Sequence, residues 1–298
     1  MKKLLLSAFV ICLAGTSIAQ ESPLWMRHCA LSPDGTTIAF TYKGDIYTVP
    51  STGGRATQIT TNPAFDTEPV WSPDSKQIAF ASDRMGSLDV FVVSSEGGAP
   101  QRLTAHSGSE KPVAYKDNKH ILFTANIAPS AEDAGFPSGQ FQQVYEVAVT
   151  GGRPAMFSSM PMECISINKE GVMLYQDKKG YEDYWRKHQV SPIARDIWTY
   201  TPGKKPVYQK QTTFGGEDRE PVWSPDGKSF YYLSEEKGSF NIFQRTPGTT
   251  TSQQITFHTK HPVRFLSIST TGTLCYGYDG EIYTMKEGTE PRKVQISI

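Results

Sequence analysis

The stretch from Asp66 to Phe91 recurs without a gap from Asp218 to Phe243, and half of the aligned positions are identical. Self-similarity of this kind marks a repeat architecture and constrains the fold before any local propensity does. At the centre of the copies, Ser72-Pro73-Asp74-Ser75 and Ser224-Pro225-Asp226-Gly227 carry turn chemistry. Pro sets φ for position i+1, Asp bonds its own backbone, and Gly tolerates a left-handed conformation. The flanking runs Pro69-Val70-Trp71 and Ile78-Ala79-Phe80 are short and rich in aromatic and β-branched residues, as strands are. The repeated unit is therefore a β-hairpin.

Three landmarks recur six times each. The hairpin turn is found at Ser32-Pro33-Asp34-Gly35, Ser72 to Ser75, the degenerate Lys116-Asp117-Asn118, Asn168-Lys169-Glu170-Gly171, Ser224 to Gly227 and Ser269-Thr270-Thr271-Gly272. A polar, β-branched, aromatic triplet follows: Asp45-Ile46-Tyr47, Asp89-Val90-Phe91, Gln143-Val144-Tyr145, Asp196-Ile197-Trp198, Asn241-Ile242-Phe243 and Glu281-Ile282-Tyr283. A short strand ending in a hydroxyl residue closes each unit, at Gln58-Ile59-Thr60, Arg102-Leu103-Thr104, Met156-Phe157-Ser158, Gln211-Thr212, Gln254-Ile255-Thr256 and Gln295-Ile296-Ser297. Glycine turns separate the last two landmarks, so each unit reads as four antiparallel strands.

Four-stranded units of roughly 40 to 55 residues, with no helical periodicity between them, are the signature of propeller blades. The expected fold is all-β: a six-bladed β-propeller over residues 20–298, with blades at about 24–62, 63–106, 107–160, 161–214, 215–258 and 259–298. With Gln295 to Ser297 taken as the last outer strand, no strand is left to close the ring. Closure is then expected from packing of blade six on blade one, unless Glu21 to Leu24 adds to an edge. Insertions at Asn126 to Gly139 and Asp177 to Ala194 fall between second and third strands, hence on one face. The second contains Tyr184, Trp185 and Arg186, a composition typical of interface anchors; it reads as a partner-docking loop or as a loop packed on its own blade.

Lys2 and Lys3, the apolar run Leu4 to Ala14 and the small residues of Ser17-Ile18-Ala19 make residues 1–19 a cleavable signal peptide. This run of eleven residues is too short to span a bilayer, which takes about 20. The chain is expected in the periplasm, meeting membrane only during export. Its 30 acidic and 30 basic residues balance, so no polybasic surface for nucleic acid is present. After export Cys29, Cys164 and Cys275 remain. On inner strands they read as buried, inert thiols, and whether any two pair is open.

In a propeller the first strand of each blade lines the central channel, and the segment entering it sits at the channel mouth. Asp66, Glu68, Glu110, Glu163, Glu217, Asp218 and Glu220 fall at this phase, with His258, His261 and Arg264 in blade six. The expectation is a mostly acidic rim with one basic sector, able to hold a peptide end or other ligand by charge-assisted bonds, or merely solvated as loops are. Trp71 and Trp223 are expected between blades. No nucleophile elbow, His-Glu-x-x-His helix or phosphate loop occurs; no cofactor or metal is called for, and His258 with His261 reads as solvated.

The repeat, Ser-Pro-Asp-Gly followed by Ile-Ala-Phe and then Asp-Ile-Tyr, resembles the TolB-type propeller repeat. More closely, the chain is similar to the N-terminal six-bladed propeller of bacterial tricorn-type proteases. Ser32 to Phe40, Lys43 to Tyr47, Gly216 to Arg219, His261 to Phe265 and Tyr278 to Tyr283 carry the likeness. In that family the propeller precedes a second propeller, a PDZ-like domain and a serine peptidase core, and is thought to gate or channel peptides. None of those later parts is in this sequence, so no catalytic residue carries over. The resemblance implies a peptide-gating propeller, cut from or acting beside a peptidase core. A freestanding TolB-like interaction propeller is one alternative; a glycan-acting propeller, using two carboxylates across the mouth, is another.

Overall fold

The computed structural model describes residues 23–127, 141–180 and 190–298; the expected signal peptide and the Tyr184-Trp185-Arg186 loop lie outside them. The described residues form six four-stranded antiparallel sheets, each a meander in chain order. The innermost strands are Arg27–Leu31, Asp66–Trp71, Lys111–Asp117, Met162–Ile167, Asp218–Trp223 and Arg264–Ile268. Six apolar clusters fill the six gaps between neighbouring blades. Ile46 and Ile59 of blade one meet Trp71 and Phe80 of blade two, while Leu174 and Ile197 of blade four meet Trp223 and Phe230 of blade five. Both tryptophans lie between blades as expected, and each indole donates back to the preceding blade, to the carbonyls of Ala30 (2.8 Å) and Val172 (3.1 Å).

The turn motif does more than reverse the chain. Ser72 Oγ donates to Asp74 Oδ1 at 2.6 Å and accepts from the amide of Gln77 at 2.9 Å, which opens the second strand. Ser32 and Ser224 repeat this arrangement. The serine bond holds the Asp74 and Asp226 carboxyls below the ordinary carboxylate range. The closing hydroxyl landmark also has a cause: Thr60, Thr104, Thr212 and Thr256 each accept from the amide of the β-branched residue in the triplet, at 2.9–3.0 Å.

The expectation for the last blade is corrected. Its outer strand is Arg292–Lys293, and Val294 N bonds Ile282 O at 2.9 Å, the place that Ile59, Leu103 and Ile255 hold in their blades. Ile296–Ser297 continues past it and pairs in parallel with Gly54–Arg55 of blade one. Gly54 N and Ala56 N donate to the carbonyls of Gln295 (2.8 Å) and Ser297 (2.7 Å). A strand is thus available to close the ring, and it is the one assigned from sequence to blade six. Gly53, at φ 95°, makes the approach possible: a Cβ there would lie 2.6 Å from the carbonyl oxygen of Gln295. Packing reinforces the clasp, with Val294, Ile296 and Cys275 meeting Cys29, Ile38 and Phe40.

Candidate functional site

Five of the six innermost strands carry an irregularity at one equivalent place, and there a non-glycine residue takes a left-handed conformation: His28, Glu68, Cys164, Glu220 and Phe265, with φ between 49° and 60°. In blade three the register also shifts, between Pro112 and Ala114, but proline cannot adopt a positive φ. Such bulges re-aim side chains and free backbone groups from the ladder. Neighbouring blades capture the freed groups. Leu266 N donates to Glu220 Oε2 at 2.8 Å, Glu220 N to Gln176 Oε1 at 2.9 Å, and Leu31 N to Ser267 Oγ at 3.0 Å. His28 packs its ring on Phe265, centroids 4.7 Å apart, and Lys111 Nζ reaches Glu68 Oε1 at 2.7 Å. Glu68 and Glu220 are thereby tied to neighbouring blades by polar bonds, and His28 to Phe265 by a ring contact.

The expected acidic rim is placed by the structure largely inside the molecule. Asp66 is fully buried against Arg84, with Nη2 3.0 and 2.9 Å from its two oxygens. Glu110 is buried and accepts from the His106 amide at 3.1 Å. Glu163, half-buried, meets Arg195 Nε at 3.1 Å and Lys178 Nζ at 3.2 Å. Burial pushes its carboxyl up, but the two cations outweigh that and hold it below the ordinary range. Glu217, fully buried, binds Arg219 Nε at 2.8 Å and Arg195 Nη1 at 3.4 Å. Arg195 therefore bridges blades four and five at their entry loops. Asp218 is buried with no cation paired to it among the described residues, and burial lifts its carboxyl to about 7. Glu220 is buried and Glu68 half-buried at the bulges.

The basic sector separates into different environments. His258 is stacked on Tyr278 with centroids 3.9 Å apart, its Nε2 3.0 Å from the Tyr276 hydroxyl, and burial lowers its basicity. His261 is exposed and 3.3 Å from Asp279. Arg264 opens the innermost strand of blade six, half-buried. The groups that sequence reasoning missed are the partners Arg84, Gln176 and Arg195. Arg84 had a visible signal, since it follows Ser82, which the register sets opposite Asp66. Arg195 had none, because its carboxylates come from two other strands.

Residues 23–291 match the Tricorn protease N-terminal beta propeller domain. The chain belongs to this family. Tricorn protease homolog 1 of Streptomyces coelicolor is 24% identical over 275 residues, covering 89% of this chain and 24% of its own length. An uncharacterized protein of Agrobacterium fabrum, Atu1656, is 34% identical over 218 residues, 68% of either chain. Among solved structures, the tricorn protease superposes with a TM-score of 0.76 at 17% identity, over 91% of this chain and 26% of that one. TolB from Acinetobacter baumannii gives 0.62 at 15% identity, over 87% and 60%. This tricorn-type propeller thus spans about a quarter of the Streptomyces relative.

Proposed function

We propose that this tricorn-type propeller is a periplasmic binding module that admits and holds peptides for a tricorn-like serine peptidase, without catalytic residues of its own. The observation that carries the reading is the ring of bulges, where His28, Glu68 and Glu220 hold left-handed positions on the innermost strands of a propeller belonging to the tricorn family. Left-handed non-glycine residues cost about 1–3 kcal/mol each and persist where surrounding structure and function hold them. Five at one level of the ring make that level the place to look for a ligand.

Asp66, Glu110, Glu217 and Asp218 are buried, which leaves Glu68 and Glu163 as the carboxylates of the rim nearest to solvent. A peptide with a lysine or arginine end would compete with Lys111 and Lys178 for them. Glu68→Gln with Glu163→Gln should weaken binding of basic-ended peptides about tenfold, read by fluorescence anisotropy, while neutral-ended peptides bind as before. Equal affinity of the double variant and the parent for basic-ended peptides would sink the reading. Glu68–Lys111 is a partly exposed pair, with side chains 27% and 35% exposed, whose loss costs at most about 1 kcal/mol, so that substitution leaves the fold intact.

A further inference from the structure

Apart from the bulge ring, a cavity of about 730 Å³ lies at the entry loops of blades one and two, a size that suits a small molecule. Part of its lining is apolar and aromatic. Trp25 is 72% exposed and Phe65 50% exposed, and both line this cavity together with Leu24, a clustering of exposed apolar surface that marks binding sites. Trp25 also holds a left-handed backbone, φ 68°, pinned where the next amide, of Met26, bonds Gly280 O at 3.1 Å. The lining also carries two cations, Arg27 and Lys43, with Lys43 Nζ 5.3 Å above the Tyr42 ring, whereas burial lowers the basicity of His28. Among the described residues none of the lining side chains is acidic.

Two lining hydroxyls supply the most specific sign. Thr41 and Thr67, 4% and 3% exposed, line this cavity, and neither Oγ1 has a hydrogen-bond partner. A buried hydroxyl left unpaired is costly, and the two beside this cavity can each donate to an acceptor on a ligand. We propose that this cavity binds an aromatic carboxylate, its ring against Trp25 and Phe65 and its carboxyl oxygens toward Lys43 and the hydroxyls of Thr41 and Thr67. An anion meets cations and neutral donors there, and a planar apolar body meets two exposed rings. The proposal stands independently of peptide binding at the bulge ring.

Isothermal titration of the protein with indole-3-propionate, with the uncharged indole-3-propanol, and with Gly-Gly-Trp in acid and C-terminal amide forms tests it. The expected result is binding of an acid at least tenfold tighter than its uncharged counterpart. Thr41→Val with Thr67→Val, which keep shape and β-branching, and Lys43→Gln should each weaken binding fivefold or more, with the thermal midpoint of the threonine double variant no lower than the parent's. Tighter binding of free indole-3-propionate than of the peptide acid assigns the site to a small molecule; the reverse assigns the same chemistry to a peptide end. Absence of heat with both acids, indifference to the charge, or full affinity in the threonine double variant overturns the proposal. Glu68 and Glu163 are not among the lining residues, and Thr41, Thr67 and Lys43 are not rim carboxylates, so the two sets of variants let the two sites fail separately.

Discussion

Two aspartates at the same place in the repeat have opposite fates. Asp66 and Asp218 both open an innermost strand and both are buried, but Arg84, which neutralises Asp66, is replaced in blade five by Glu236. Asp218 therefore keeps a carboxyl that burial lifts to about 7. The unfolded chain titrates this group near 3.9, so between about pH 4 and 7 the folded state binds more protons than the unfolded one. Stability then falls as pH rises through that window, by up to about 1.4 kcal/mol per unit from this residue. In Asp218→Asn that contribution should vanish, leaving urea midpoints that change less from pH 4.5 to 7.5 than in the parent; an undiminished slope would assign the dependence to other groups. The phase of the rim carboxylates was legible in sequence. Their burial was not, because it depends on Arg84, Lys178 and Arg195, which come from other strands and loops.

At the scale of elements, the repeat reports strands and turns faithfully because each landmark has a local cause. Ser72 caps the amide of Gln77, Thr60 caps that of Ile46, and a sequence that repeats the serine cap in three blades and the threonine cap in four displays the blades. Trp71 shows how far such reading reaches into energetics. It is 7% exposed, packs on Ile46 and Ile59 across the blade gap, and donates to Ala30 O. Trp71→Ala should cost about 3–5 kcal/mol, measured by equilibrium denaturation, whereas a loss below about 1 kcal/mol would mean the gap had collapsed around the vacancy. The one strand misread from sequence, Gln295-Ile296-Ser297, has the same polar, β-branched, hydroxyl order as Gln58-Ile59-Thr60. Only the hydrogen bond from Val294 to Ile282 separates the outer strand from the clasp, and a backbone partner leaves no trace in residue type.

For the whole molecule the clasp decides how the ring behaves. Five of the blade gaps are crossed by continuous chain; the sixth is held by Ile296–Ser297 on Gly54–Arg55, by the apolar seam, and by Arg292 reaching the carbonyls of Ser51 (2.9 Å) and Thr52 (3.3 Å). Gly53→Val would press a side chain into Gln295 O at a left-handed position, costing roughly 1–3 kcal/mol. Amide exchange should then quicken in blades one and six and stay as before in blades three and four; uniform quickening would mean that the seam has no stability of its own. The seam also imposes an order in time. The partners in this parallel pairing sit near opposite ends of the sequence, and at about 5–20 residues per second of synthesis they emerge tens of seconds apart. Through that interval the seam face of blade one, with Cys29, Ile38 and Phe40, waits with its other half unmade, so the first blade to form is the last to be covered.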